Sequence, residues 1–317
     1  MSEAGALAAR LREGDLSAAP AVLNLVESRT PAAVVQTAEL LAALSPQELG
    51  HEAGGHIVGV TGPPGVGKSS LLSRMVAQWR GRDRSVAVLA VDPSSRRSGG
   101  SLLGDRARIE VDPGDKSTFV RSTAAAERLG GLAPATRAAA SSLAVAFDVV
   151  VIETVGVGQS ETEVADVADT VAVVVQPASG DVLQFLKAGI MEVPDVLVVT
   201  KADLGRVATR AMADLRSALR ALGARDTAVV AVSSVAPPTG VDALVDALDA
   251  HRSGLDLPSR RLAARRAHAL ADFASEHGER GVRALGGRRA ATRWLSEQPA
   301  GLDVPSLVNA LQARAQS

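Results

Sequence analysis

The stretch VTGPPGVGKSSLL, residues 60–72, decides the fold. Gly62 is followed by four residues and then by Gly67-Lys68-Ser69, between an apolar run and a stretch of helical spacing. This is the full Walker A pattern in the context it requires. Its glycines let the backbone curl so that successive N–H groups converge on phosphate oxygens. The helix that follows adds the positive end of its dipole. Gly62, Pro63, Pro64, Gly65, Val66, Gly67, Lys68, Ser69 and Ser70 are therefore the predicted phosphate cradle. Lys68 is expected to reach the β- and γ-phosphates and to act in catalysis. The Ser69 hydroxyl is placed to ligate magnesium.

Working outward, apolar runs of strand length alternate with helical stretches from His56 to about Arg252. The runs are HIVGVT (56–61), SVAVLAV (85–91), FDVVVIE (147–153), TVAVVVQ (170–176), DVLVVT (195–200) and AVVAVS (228–233). Continuous β-branched runs without alternation indicate strands buried on both faces, as in a parallel sheet. Helical spacers at 68–80, 132–146, 206–222 and 240–250 supply the crossovers. The expected fold class is α/β, a doubly wound, mostly parallel sheet. Residues 1–50 read as a helical segment, with Pro31 in the first turn of one helix, and residues 51–253 as the nucleotide-binding domain. Residues 254–317 read as an arginine-rich helical arm, broken at Gly286-Gly287. Its apolar residues Leu262, Leu270, Phe273, Trp294 and Leu295 are expected to need a partner surface, either the core domain or a second subunit.

Composition narrows the function classes. Lys and Arg number 34 against 35 Asp and Glu, a net charge of -1. That balance carries no electrostatic footprint for nucleic acid or an anionic membrane. Tyrosine is absent and aromatics make up 2% of the chain, which disfavours stacking platforms for single strands. With no cysteine, disulfides and thiolate metal sites are excluded. The N-terminus lacks the basic start and apolar run of a signal peptide, and no uncharged run reaches the ~18–20 apolar residues of a spanning helix. The expectation is a cytoplasmic protein.

A P-loop enzyme needs an acid near a strand end to hold magnesium, directly or through water. Asp92 ends one run and Glu153 another. Glu153 opens ETVGVGQ, whose Glu-x-x-Gly spacing parallels the Asp-x-x-Gly of many GTPases, so that Gly156 would offer its N–H to the γ-phosphate. Asp105, in SGGSLLGDRARI, lies in a glycine-rich run that reads as a loop able to close over a nucleotide. Gln159 is a candidate for orienting the attacking water, and Arg96, Arg97, Arg106 and Arg121 for stabilising transition-state charge.

The run VLVVTKADLG (196–205) breaks from buried aliphatics into Thr200-Lys201-Ala202-Asp203. Asp203 can accept both N–H groups on the Watson–Crick edge of guanine, whereas adenine would leave the carboxylate unsatisfied. Sites built on such hydrogen bonds discriminate by ~10⁴–10⁵, so the predicted base is guanine. The Lys201 stem can lie over the flat base. The backbone of Ser233, Ser234 and Val235 can meet the guanine carbonyl.

Taken together, GVTGPPGVGKSSL (59–71), VAVLAVDPSSRRSGGSLLGDRARI (86–109), FDVVVIETVGVGQSE (147–161), LQFLKAGIMEVPDVLVVTKADL (183–204) and LREGDLSAAPAVLNLVESRTP (11–31) resemble one family. It is the methylmalonyl-CoA mutase-associated GTPases of the MeaB/ArgK type, within the SIMIBI class. The resemblance implies a GTP-driven chaperone that gates cofactor loading and protects an adenosylcobalamin-dependent acyl-CoA mutase. It implies that Ser69, Asp92, Asp105 and Glu153 surround magnesium, that Asp203 reads guanine, and that no cobalamin is held by this chain. It further implies a homodimer through the C-terminal helices, and contact with the mutase through a mobile segment near 178–194. Three departures stand out, one being Ser233-Ser234-Val235 where a Ser-Ala pair is more typical. Thr200 replaces the usual Asn and has no amide, so weaker support of the loop and weaker GTP binding are expected. The stretch GDVLQFLKAG (180–189) is more apolar than is usual in the family.

Alternatives from other classes are a nickel metallochaperone, a small-molecule kinase and a nucleotide-holding scaffold without turnover. The first needs Cys or His ligands, and the chain has five scattered histidines. The second needs an acceptor pocket and no guanine-reading Asp203.

Overall fold

The computed structural model describes residues 2–92, 109–124, 134–154, 160–177 and 194–316. They fall into two compact units.

The first unit gathers the chain up to Gly54, Ser141–Ala146 and the chain from Asp256. Its leading helices are α1 (Glu3–Arg12), α2 (Ala19–Glu27), α3 (Pro31–Ala43) and the short α4 (Pro46–Leu49). Ser2, Thr30 and Ser45 cap α1, α3 and α4 through their side chains, which satisfies N–H groups that a helix start leaves open. Residues from the far end of the chain clasp the same unit. Arg265 donates to both Glu52 oxygens at 2.9 and 2.8 Å, and Arg261 to the Ala53 carbonyl at 2.7 Å.

The second unit holds a seven-stranded sheet, strand order β3-β2-β4-β1-β5-β6-β7 among the described residues. The strands are β1 (His56–Thr61), β2 (Val86–Asp92), β3 (Thr118–Ala124), β4 (Val149–Glu153), β5 (Thr170–Val175), β6 (Val196–Val199) and β7 (Ala228–Ala231). Every pairing is parallel. Helix α5 (Lys68–Arg80) follows β1, and α6 (Pro134–Leu143) and α7 (Ser160–Val167) flank β4 in the chain. After β6 come α8 (Arg206–Ala221), then β7 and α9 (Val241–Ser253).

Alternation within strands decides which helix covers which face. Val58, Val60, Val88, Val151 and Val174 form one core with Leu72, Met75 and Trp79 of α5 and Leu244 and Leu248 of α9. Gly59 points to the opposite face, where a Cβ would lie 2.7 Å from a Val164 methyl of α7. The missing side chain is what lets α7 sit so close to β1.

At the opposite end of the sheet from the cradle, an aspartate precedes each of three runs and stitches it to a neighbour. Asp148 accepts the Ser85 N–H (2.8 Å), Asp169 the Ile57 N–H (2.9 Å) and Asp195 the Val171 N–H (2.8 Å). These bonds fix where each strand starts, and so where its far end delivers a loop.

Strand β3 was absent from the expected set. Its sequence, TFVRSTA, mixes polar with apolar residues because it is the half-buried edge. Most of the C-terminal apolar residues named above pack on one another. Helices α10 (Leu257–Ala284), α11 (Arg288–Ser296) and α12 (Val304–Ala315) fold back at Gly286-Gly287, where both glycines have positive φ. Phe273, Leu295, Leu307 and Leu311 are buried together, with Leu270 and Trp294 packed against them. Among the described residues no helix is long and apolar enough to cross a membrane.

One ion pair secures the approach to β3. Arg80, at the end of α5, donates to both oxygens of Asp115, at 2.6 and 3.2 Å. That guanidinium, helped by the Thr118 hydroxyl and the Ser117 N–H, holds the Asp115 carboxyl well below the usual carboxylate range, at about 2. A depressed folded-state value means stability that is complete above the unfolded-state value and lost as pH falls toward 2. Asp115→Asn should therefore lower stability in urea titrations by about 1–2 kcal/mol at neutral pH, and the gap to wild type should narrow below about pH 4. A gap that does not change with pH would assign the loss to packing.

Candidate functional site

The loop leaving β1 is shaped by a steric demand. Gly62 has φ 144°, and a Cβ there would fall 2.0 Å from the Val174 carbonyl oxygen of β5. Gly65 and Gly67 also have positive φ, with nothing within 4 Å of where a side chain would stand. The loop thus hugs the sheet at its first glycine and keeps open space at the other two. Lys68 begins α5 and is buried, its ammonium donating to the Gly62 and Pro63 carbonyls at 2.6 and 3.1 Å. This draws the lysine across the mouth of the loop.

Ser69, one residue on, donates from Oγ to Glu153 Oε1 at 3.1 Å. Glu153 ends β4 and is 5% exposed. The neighbouring strand ends are locked by Thr154, whose N–H donates to the Val60 carbonyl (3.0 Å) and whose hydroxyl donates to Thr61 (2.8 Å). A serine hydroxyl facing a buried carboxylate is an oxygen donor set that suits magnesium, which takes few protein ligands and keeps waters and phosphate oxygens. Among the described residues no cluster of three or more His, Cys, Asp or Glu side chains gathers for a metal. Asp92 lies at the end of β2, where only its backbone is described, and Asp105, Gly156, Gln159, Arg96, Arg97 and Arg106 lie outside the described residues. Arg121 is not brought to the cradle. It sits within β3, with β2 and β4 between it and β1.

The segment after β6 emerges at the same end of the strands. Thr200 is 4% exposed. Its hydroxyl donates to the Val66 carbonyl of the Walker loop at 2.8 Å, with the Val175 carbonyl 3.0 Å away. Weaker loop support was expected from the missing amide, yet the hydroxyl reaches the loop directly. Lys201 adopts a left-handed conformation, φ 54°, and its ammonium donates to Gln176 Oε1. Left-handed backbone is uncommon outside glycine and clusters at functional sites. Asp203 accepts the Ser233 hydroxyl at 2.7 Å, which fixes the carboxylate in place.

Two of the three backbone N–H groups at residues 233–235 are already bonded within the chain. The Ser233 N–H donates to the Thr239 carbonyl (3.0 Å) and the Val235 N–H to Ser233 Oγ (3.3 Å). Both are spent inside a tight turn. Only the Ser234 N–H carries no hydrogen bond among the described residues, while its carbonyl accepts from Arg74 Nε at 3.3 Å.

Sequence reasoning passed over Ser73, Arg74 and Glu110. Ser73 Oγ donates to the Ser69 carbonyl (3.0 Å) and accepts the Glu110 N–H (2.9 Å). A small polar residue one helical turn beyond Ser69 was the available signal, since i and i+4 share a face.

A Walker loop and a Lys-x-Asp segment brought to one end of the strands of a parallel sheet define a P-loop nucleotide hydrolase of the GTPase type. A family described as methylmalonyl-CoA mutase-associated GTPase MeaB matches residues 19–281. The chain belongs to that family, and it is a GTPase. A probable GTPase of Mycobacterium tuberculosis is 40% identical over 258 residues, covering 78% of this chain and 75% of the relative. A protein of Caenorhabditis elegans named methylmalonic aciduria type A homolog, mitochondrial, is 39% identical over 220 residues, 66% of this chain and 55% of that one. Among solved structures, a LAO/AO transport system kinase superposes with a TM-score of 0.67 at 27% identity, covering 100% of this chain and 99% of that one.

Thr200→Val removes the hydroxyl at nearly constant volume and leaves the buried Val66 carbonyl short of a donor. Guanine-nucleotide dissociation should quicken roughly tenfold, a loss of about 1–2 kcal/mol. Unchanged dissociation in stopped-flow measurements would show that the Thr200–Val66 link does not hold the nucleotide.

Proposed function

We propose that this chain binds GTP with magnesium, hydrolyses it slowly by itself, and uses the cycle to gate cofactor loading and protect an adenosylcobalamin-dependent acyl-CoA mutase. The observation that carries the mutase reading is the family match, which spans the nucleotide motifs and the helices from α2 to α4 before them. The name of the worm relative, a methylmalonic aciduria type A homologue, supports the same client.

In this reading Lys68 exchanges the Gly62 and Pro63 carbonyls for β- and γ-phosphate oxygens. The loop N–H groups from Pro64 to Ser70, proline excepted, take the remaining charge. Ser69 and Glu153, with Asp92 and Asp105, would hold magnesium, whose chemistry is to neutralise charge across the phosphates. Gly156 offers its N–H to the γ-phosphate and Gln159 orients the water. Such transition states are loose, so no strong base is required. Asp203, held by Ser233, accepts the two N–H groups of guanine beside the Lys201 stem. The Ser234 N–H is the donor left for the guanine carbonyl.

Unaided, the intrinsic rate is low. Ordering of the loops by a partner adds ~10³–10⁵, worth ~4–7 kcal/mol. Loss of the γ-phosphate then relaxes loops that it had ordered, and the protein presents a different surface to its client. The mutase contact is assigned to residues 178–194, and a homodimer to residues 254–317, which light scattering on the purified protein reports directly. Cobalamin is not held by this chain, and the compartment is the cytoplasm. A small-molecule kinase is the second reading, favoured by the likeness to the solved LAO/AO transport system kinase. It requires ATP, which Asp203 disfavours.

Asp203→Asn should shift preference from GTP toward xanthosine triphosphate by at least tenfold in calorimetric titrations, since the new amide donates to xanthine's extra carbonyl. An unchanged preference for GTP would move base reading elsewhere. GTP turnover should rise tenfold or more when an adenosylcobalamin-dependent acyl-CoA mutase from the same source is added. Measurable basal turnover without stimulation would remove the mutase from the reading and leave the GTPase.

A further inference from the structure

A cavity of about 210 Å³ opens beside the cradle, lined by Ser70, Ser73, Arg74, Glu110, Ser234 and Val235. Its two ends belong to different parts of the site. Ser70 closes the phosphate loop, and Ser234 and Val235 belong to the base-side turn. A nucleotide with phosphates at the first and base at the second places its sugar between them.

The walls differ in what they can still bind. Ser73 is committed in both directions, to the Ser69 carbonyl and the Glu110 N–H. Arg74 is turned onto the Ser234 carbonyl. Val235 is 63% exposed and gives an apolar flank. The Glu110 side chain makes no hydrogen bond or ion pair among the described residues, while its backbone is pinned to α5 through Ser73. Glu110 is exposed, so its carboxylate faces solvent and is free to exchange water for a ligand donor. A ribose supplies two neighbouring hydroxyl donors, and an ionised carboxylate is an acceptor that can take both. A 2′-deoxyribose supplies only one.

We propose that Glu110 is a sugar-selecting residue, accepting the ribose hydroxyls and favouring ribonucleotides over 2′-deoxyribonucleotides. This rests on the guanine-nucleotide reading of the site. Glu110 acts on binding, not on the reacting phosphate, so its effect belongs in affinity ratios.

The test is the dissociation constant of the full-length protein, with magnesium, for GTP, 2′-deoxy-GTP, ATP and 2′-deoxy-ATP. It is measured for wild type, Glu110→Gln and Glu110→Ala. Both variants keep the backbone bond to Ser73. Hydrogen bonds to a charged group imply a GTP preference over 2′-deoxy-GTP of roughly ten- to a hundredfold in wild type. The preference should fall to within about twofold in Glu110→Ala and lie between in Glu110→Gln, where the acceptor is neutral. The preference for GTP over ATP should be the same in all three proteins. A wild-type ribose preference near unity, or one that survives in Glu110→Ala, overturns the proposal. A wild type that does not prefer GTP to ATP overturns the guanine reading instead, and the ATP to 2′-deoxy-ATP ratios then decide the sugar assignment by themselves.

Discussion

A side chain at Gly62 would collide with the Val174 carbonyl oxygen at 2.0 Å, and the rest of the site depends on that contact being bare. The chain leaves β1 hard against β5 and turns at once. Only then does Gly67 deliver Lys68 to the first turn of α5. Strand β1 lies between β4 and β5, so the loop emerges where two neighbouring strands also end. Those strands carry Glu153 and, through Val175, the anchor of Thr200. One steric constraint therefore places the Walker loop, the Glu153 carboxylate and the segment from Thr200 to Asp203 within reach of each other.

Hydroxyl groups do most of the joining. Thr154 ties the end of β4 to Thr61, Thr200 ties the base-side segment to the Walker loop, and Ser233 holds Asp203. Ser73 links the first turn of α5 to the chain at Glu110. The two threonine bonds are buried, where a hydrogen bond is stronger and an unmade one costlier. A nucleotide that orders one of these segments meets the others already registered. A ligand then spends little on assembling its site.

Much of this was legible in the residues. Strands buried on both faces betray themselves as unbroken Val and Ile runs, and β1, β5 and β6 lie where those runs do. Edge strand β3 was not legible, because half-burial mixes Thr, Arg and Ser into its pattern. The placement of Lys68, Ser69, Glu153, Thr200 and Asp203 followed from motif spacing. The use of Val235 did not, since its N–H is consumed by a turn that spacing cannot reveal. The C-terminal apolar residues looked unpartnered until Gly286 and Gly287 were seen to fold α11 back onto α10.

By itself the sequence determined the α/β class, the Walker loop and the Lys-x-Asp segment, because each rests on local chemistry at short range. Glycine runs, strand-end acids and Lys-x-Asp keep their meaning wherever the chain carries them. Only the tertiary structure decided which hydroxyl holds which carbonyl, which of three neighbouring amides remains available at Ser234, and that Glu110 lines a cavity shared with Ser70 and Ser234. Those are contacts between residues far apart in the chain. They exist only once the sheet order and the aspartate-set strand starts have brought separate loops to one end of the strands.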